Sequence, residues 1–333
     1  MAKRIVVSGI RPTGFLHLGN YFGALRNFVR MQDEYRCFFF VADLHSLTTH
    51  PKPEDLPGHV MRVVAEYVAS GLDPERAVLY VQSEVPETAE LYLLLNMLAY
   101  KGELEKVPTF KEKIRQHSDN VNAGLLTYPV LMAADILLHR AEWVPVGQDQ
   151  AQHLEMARNF ANRFNNRYGE VLFPEPQPFS TRGALLKIGS LDGEGKMSKS
   201  RNEMSTVYLA DSDEVIRKKF RKAKTDQGPS VPGAPMPESV QNLFTLLELV
   251  ATPQTYTDFK TAYETGSIRY GDLKQQLADD MIRFISPIRE KAAELQRDTE
   301  GMKKIIARGA AQARESAVKT LGETKRLMGL QYR

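Results

Sequence analysis

The chain has 333 residues, 42% of them hydrophobic and 26% charged, and a formal net charge of +3 at pH 7. That length predicts two or three domains around a sizeable buried core, and the balance excludes a mainly disordered or collagen-like chain. The single cysteine, Cys37, excludes an intrachain disulfide and any multi-cysteine metal site.

The first ten residues, Met1 to Ile10, lack the apolar stretch and small-residue cleavage site of a signal peptide. No apolar run is long enough to span a bilayer, so a cytoplasmic protein with no membrane contact is expected. Ile5-Val6-Val7 reads as a short buried strand that ends in a Ser8-Gly9 turn. After the segment Arg11–Asn20, which holds two glycines and a proline, a helix is expected with Tyr21, Leu25, Phe28 and Gln32 on one face. The run Cys37–Ala42 predicts a second strand ending at Asp43-Leu44-His45, with Cys37 a buried, inert thiol. His59–Ser70 predicts a helix and Ala77–Val81 a third strand. Strand, helix, strand, helix, strand argues for βαβ units and a parallel sheet, whose ligands sit beyond the carboxyl ends of the strands.

The middle of the chain reads as more helical. Helices are expected over Ala89–Tyr100, Tyr128–His139 and Gln150–Tyr168, with a short strand at Trp143–Val146. Gly189–Ser200 is a polar loop. Asp213–Lys224 is a basic helix, in which six of the eight residues from Arg217 to Lys224 are Lys or Arg. Thr225–Pro237 holds four prolines and two glycines and cannot be regular structure. From there to the end the pattern is helical. Between Gly301 and Arg333 stand eight basic residues and two acidic ones. Such an end suits an anionic partner, or equally a solvated helix surface.

Two segments carry chemistry. Pro12 to Asn20 lies directly after a strand and before a helix. Its small residues let backbone approach a ligand, the helix start offers N–H groups to a phosphate, and His17 and Asn20 add polar side chains. Taken alone, it is equally an ordinary strand-to-helix turn. The second is Lys196-Met197-Ser198-Lys199-Ser200, a loop of donors suited to a polyphosphate. A chance match to this pentapeptide in a chain this long is on the order of one in ten thousand.

His17-Leu18-Gly19-Asn20 and Lys196–Ser200 together resemble the HIGH and KMSKS motifs of class I aminoacyl-tRNA synthetases. Ser8–Gly14, Gly124–Leu137 and Val144–Gln150 resemble the bacterial tryptophanyl-tRNA synthetase family, most specifically through Met132-Ala133-Ala134-Asp135. The resemblance runs from about residue 4 to 224 and more weakly to the end. The helix agrees: Tyr128, Met132 and Asp135 share one face, an apolar wall with one carboxylate that suits indole, whose ring nitrogen only donates. A capped or paired core carboxylate is the plain alternative for Asp135.

The resemblance implies an α/β fold, with a Rossmann-like parallel-sheet nucleotide-binding domain over residues 1–200, a helical insertion at about 88–140, and an all-helical tRNA- and anticodon-binding domain over 201–333. It implies a ligase that activates L-tryptophan with ATP to tryptophanyl-adenylate and pyrophosphate, then transfers tryptophan to the 3′ end of tRNA(Trp). Mg²⁺ would arrive with ATP, and the enzyme would be a homodimer. Catalytic roles fall on His17, Asn20, Lys196 and Lys199. ATP binding falls on Arg11, Pro12, Thr13, Gly19, Asn20, Lys113, Gly147, Gln148, Asp149, Ile188, Lys196, Met197, Ser198, Lys199 and Ser200. Tryptophan binding falls on Val7, His45, Tyr128, Met132, Asp135 and Gln150, with no protein-bound metal.

Three departures stand out. Arg11 replaces the family's usual glutamine, Val7 stands where some relatives place an aromatic, and Leu191–Gly195 is one residue short. A tyrosyl-specific synthetase, a small-molecule nucleotidyltransferase and a non-catalytic relative are the competing readings. The Met132/Asp135 face argues against the first, the KMSKS loop and basic end against the second, and two intact phosphate motifs against the third.

Overall fold

The computed structural model describes residues 3–107, 110, 114, 121–145, 147, 150–179, 186–198, 202–229 and 231–332. Strand β1 (Ile5–Ile10) leads through α1 (Leu18–Asn20) and a π-helical turn at Tyr21–Leu25 into α2 (Arg26–Met31). Next come β2 (Arg36–Val41), α3 (Asp43–Ser46), α4 (Leu56–Ala69) and β3 (Val78–Val81). Helices α5 (Glu87–Asn96), α6 (Lys101–Leu104) and α7 (Ala123–Leu138) separate β3 from β4 (Trp143–Val144). Helix α8 (Ala151–Tyr168) returns the chain to β5 (Gln177–Pro178). Beyond residue 201 the regular elements are helices: α9 (Asp213–Lys222), α10 (Glu238–Val250), α11 (Pro253–Glu264), α12 (Tyr270–Arg297) and α13 (Thr299–Leu327).

Among the described residues the strands form one five-stranded sheet in the order β3-β2-β1-β4-β5. Every pairing is parallel. Strand order reverses at β1, so a crevice opens between the carboxyl ends of β1 and β4, where α/β sheets bind ligands. Strand β2 shows why the run from Cys37 to Ala42 is continuously apolar. Cys37, Phe39 and Val41 enter one buried cluster, while Phe38, Phe40 and Ala42 enter another on the opposite face. Side chains alternate across a strand, and here both faces are covered.

Several boundaries differ from the sequence reading. Ser8 and Gly9 are not a turn: they pair with Phe39 and Phe40, and β1 continues to Ile10. Glycine is needed at position 9 because a Cβ there would stand 2.6 Å from the Phe40 ring. Helix α7 begins five residues before Tyr128, since the Asn122 side chain caps it by accepting from the Leu125 N–H at 2.9 Å. Strand β4 is only two residues long, and β5, with a proline and no apolar run, gave no sequence signal.

The helices after residue 201 join both buried clusters. Ile216, Phe220, Leu243 and Leu277 pack into the first, and Ala310, Ala313, Ala317 and Leu321 into the second. Helix α13 also covers the β3 edge of the sheet. At Gly309 a Cβ would lie 1.7 Å from the Leu79 carbonyl oxygen, so the absence of a side chain is what lets helix and strand backbones touch. Covering an edge removes a template for unwanted strand pairing.

Candidate active site

At the crevice between β1 and β4 lies a cavity of about 430 Å³. Val7, Ser8 and Gly9 of β1, Phe40 of β2 with Ala42 just after it, Met132 and Ile136 of α7, and Val144 of β4 with Pro145 just after it form much of its wall. Ala24 and Phe28 add to the apolar part, and Arg11, His45, Thr48, Tyr128, Asp135, Gln150 and His153 supply polar side chains, with Gly147 beside them. The tryptophan-binding residues expected from the sequence, Val7, His45, Tyr128, Met132, Asp135 and Gln150, therefore meet in one place. Its size is that of an ordinary small-molecule site.

Asp135 is the chemical centre of the cavity. It is 2% exposed. Its Oδ1 accepts from Gln82 Nε2 at 2.7 Å, and its Oδ2 lies 2.8 Å from His45 Nε2. Gln82 is held in turn, because its Oε1 accepts from the His45 backbone N–H at 3.4 Å. That contact orients the Gln82 amide as a donor toward Asp135. Burial pushes the Asp135 carboxyl above the usual carboxylate range, and the hydrogen bonds from His45 and Gln82 pull it back down. Asp43 stabilises the same corner: its Oδ1 accepts from the Ser83 N–H at 3.0 Å, and its Oδ2 accepts from the Ser83 hydroxyl.

A second chain of contacts lines another part of the cavity. The Tyr128 hydroxyl lies 2.6 Å from His153 Nε2, and His153 Nδ1 lies 3.0 Å from Gln150 Oε1. An amide oxygen only accepts, so His153 carries its proton on Nδ1 and Nε2 accepts from Tyr128. Arg11 faces the cavity and donates to the Thr49 hydroxyl at 3.2 Å, while its buried Nε has no partner. Burial lowers the Arg11 guanidinium below its ordinary value.

The turn from Leu16 to Asn20 sits beside this cavity. His17 N-caps α1: its Nδ1 accepts from the Asn20 N–H at 3.3 Å, while Asn20 Oδ1 accepts from the His17 N–H at 3.1 Å. This fixes the His17 proton on Nε2. The helix start does not present a row of open amides, as the sequence suggested, because the Leu18 N–H donates to the Val207 carbonyl at 3.0 Å and the Asn20 N–H to His17. Gly19 is enclosed: a Cβ there would lie 2.8 Å from the His17 ring and 3.7 Å from the Met197 carbonyl oxygen. The HLGN turn and the start of the KMSKS loop are thus neighbours in space. Met197 and Ile188 are buried and joined by a backbone bond of 2.8 Å, and Lys196, exposed, pairs across from Gly189. Pro12, Thr13 and Ser198 lie on the same loops. Lys113, Gln148, Asp149, Lys199 and Ser200 lie outside the described residues.

Sequence reasoning missed Gln82 and His153, and placed Asp43 at the carboxyl end of the second strand without giving it a role. Gln82 had a usable signal, since it follows β3 directly and so falls at the carboxyl end of a parallel strand. The basic end also differs from its sequence reading. Lys219 is buried against Asp211, Arg217 pairs with Asp279, Arg308 with Glu75, Arg314 with Glu87, Lys325 with Glu90 and Arg326 with Glu170. The last four of these pairs tie α13 to residues before position 201. Lys218, Arg221, Lys222, Lys224, Lys304 and Lys319 remain exposed.

Comparison with known proteins gives concordant matches. The family model described as tRNA synthetases class I (W and Y) matches residues 2–286. The tryptophan–tRNA ligase of Porphyromonas gingivalis is 56% identical over 324 residues, covering 97% of this chain and 98% of that protein. The tryptophan–tRNA ligase of Clostridium tetani is 39% identical, covering 98% and 96%. Among solved structures, tryptophanyl-tRNA synthetase from Campylobacter jejuni complexed with ADP and tryptophan superposes with a TM-score of 0.87 at 32% identity, covering 98% of this chain and 100% of that one. A tyrosyl-tRNA synthetase from Aeropyrum pernix, at 20% identity and a TM-score of 0.67 over 96% and 90% of the two chains, shares the fold.

Proposed function

The chain belongs to the class I tRNA synthetases of the tryptophan and tyrosine type, among the tryptophan–tRNA ligases, and from that premise we propose that the cavity around Asp135 binds L-tryptophan for activation by ATP. The tryptophan carboxylate attacks the α-phosphate, pyrophosphate leaves, and the tryptophanyl group passes from the adenylate to the 3′ end of tRNA(Trp). No protein nucleophile is needed. Catalysis consists of positioning and of stabilising charge on the phosphoryl oxygens.

One observation carries this reading: a buried carboxylate, pinned by Gln82 and His45, stands as an acceptor beside the apolar side chains of Val7, Met132 and Ile136. Indole offers one N–H donor on an apolar bicycle, which matches it. Val7, Met132 and Tyr128 would pack against the ring, with His45 and Gln150 beside the amino acid. Arg11, a half-buried cation lacking an acidic partner among the described residues, would meet an anion of the reacting pair, in keeping with its expected place at ATP. Pro12, Thr13, the His17–Asn20 turn, Gly147 and Ile188 would hold ATP. Lys196, Met197, Ser198 and the rest of the KMSKS loop would follow the leaving pyrophosphate, with Lys113, Gln148 and Asp149 as further ATP contacts. Among the described residues no group of three or more His, Cys, Asp or Glu side chains could hold a metal. Mg²⁺ would arrive on the triphosphate oxygens of ATP.

Residues 1–200 would carry this chemistry and 201–333 the tRNA contacts, through exposed Lys218, Arg221, Lys222 and Lys224 rather than buried Lys219. A second copy of the chain would cover Leu93, Met97 and Tyr100, large apolar side chains exposed along α5 and the turn after it. Among the described residues no helix is long and apolar enough to cross a membrane, and a tRNA substrate argues for the cytoplasm. ATP–pyrophosphate exchange tests the central reading. Exchange should depend on tryptophan and be negligible with tyrosine, whereas exchange with tyrosine at comparable kcat/KM would overturn it.

A further inference from the structure

Lys219 is 1% exposed, so the middle of the most basic helix in the chain points inward. Its ammonium donates to Asp211 Oδ2 at 2.6 Å, and the same oxygen accepts from the Tyr208 backbone N–H at 2.8 Å. The ammonium also lies 4.8 Å from the centroid of the Tyr208 ring. Tyr208 is bridged antiparallel to His17, with the Leu18 N–H on the Val207 carbonyl at 3.0 Å and the Leu209 N–H on the Leu16 carbonyl at 2.9 Å. Its ring stands edge-on to the His17 ring, with centroids 6.4 Å apart. Two residues earlier, the Thr206 hydroxyl donates to the Ser198 carbonyl at 3.0 Å. The segment from Thr206 to Asp211 therefore clasps the His17 turn on one side and the KMSKS loop on the other, and Lys219 anchors its far end.

A buried lysine and aspartate are costly to hold unless each neutralises the other, and removing one leaves an uncompensated charge. We propose that Lys219 and Asp211 are positioning residues for ATP: the pair sets the Tyr208 segment, and that segment sets how the HLGN turn faces the KMSKS loop. The inference rests on the reading that this turn holds ATP. It assigns the pair no contact with substrate or with tRNA. The residues expected around the indole ring, Val7, His45, Met132 and Asp135, stand on β1, α3 and α7, and none of them is among the partners of the clasp. Loss of the pair should thus act on ATP and spare tryptophan.

The test is pyrophosphate exchange and calorimetric tryptophan binding on the full-length protein carrying Lys219→Met, and on the double variant Lys219→Met/Asp211→Asn, which leaves no orphan charge if the single variant folds poorly. A small misplacement of reacting groups can cost on the order of 100-fold in rate. The expected result is an about 10- to 100-fold loss in kcat/KM for ATP, expressed in KM as well as kcat, with tryptophan affinity unchanged within about twofold. A lower melting temperature with wild-type KM for ATP in whichever variant folds would make the pair an ordinary structural ion pair and overturn the proposal. His17→Ala separates this from the underlying reading. Wild-type KM for ATP in His17→Ala means the turn does not hold ATP. A raised KM there, with none in the Lys219 variants, removes only the role of the pair.

Discussion

Replacing Asp135 with asparagine changes one atom in the cavity and should change substrate recognition. In the wild-type site Oδ1 accepts from Gln82 and Oδ2 meets His45. The Gln82 amide is held as a donor by its own bond from the His45 N–H, so the substituted asparagine must keep its carbonyl oxygen toward Gln82. Its amide nitrogen then takes the place of Oδ2. His45 can answer by presenting an unprotonated Nε2, and the protein network stays satisfied. The indole N–H now faces a donor. A lost hydrogen bond with a buried donor left unpaired costs about 1–3 kcal/mol, or roughly 5- to 150-fold in kcat/KM for tryptophan. Misfolding would not account for the loss. Burial raises the Asp135 carboxyl above its ordinary value, so the ionised side chain is unfavourable in the folded state, and the neutral amide removes that cost. Pyrophosphate exchange with tryptophan, and with an analogue carrying sulfur in place of the indole N–H, provides the measurement. The variant should lose activity toward tryptophan and little toward the analogue. Unchanged kcat/KM for tryptophan, or equal losses for both, would refute the assignment.

Lys196→Ala should lower kcat for exchange by about 10²–10³ while calorimetric tryptophan affinity stays put, because pyrophosphate charge develops in the transition state; parallel losses in both would point to a damaged fold. Gly309→Ala should destabilise the protein by about 1–3 kcal/mol or more in urea, since the new methyl group collides with the Leu79 carbonyl; an unchanged midpoint would contradict that packing. Burial holds the His139 imidazole down at about 3, from an ordinary 6.5. The unfolded chain takes up this proton first, so stability is present above about pH 6.5 and falls by roughly 2 kcal/mol between about pH 7 and pH 5. His139→Phe should flatten that stretch of the stability–pH curve, and an unaltered slope would show that other groups produce it. Reversing the exposed charges Lys218, Arg221 and Lys222 to glutamate should raise KM for tRNA and leave pyrophosphate exchange intact; normal aminoacylation at low and high salt would leave these lysines and arginine as surface charge alone.

The linear sequence already held what depends on local chemistry. The continuous apolar run at Cys37–Ala42 specified a strand buried on both faces, the 3.6-residue spacing of Tyr128, Met132 and Asp135 placed them on one helix face, and the two phosphate motifs named the reaction class. Contacts between distant segments were not legible there. Ser8-Gly9 carries the composition of a turn, yet the Phe40 ring decides that Gly9 is a close approach within a strand. Gln82 looks like any polar residue after a strand until α7 brings Asp135 within hydrogen-bonding distance. Lys219 has the same charge as its neighbours in α9, and only the packing of that helix turns it inward to Asp211 while Lys218 faces solvent. A side chain's chemistry is set by its type, but its partner, burial and ionisation are set by whatever the rest of the chain packs against it, and a one-dimensional pattern does not contain that.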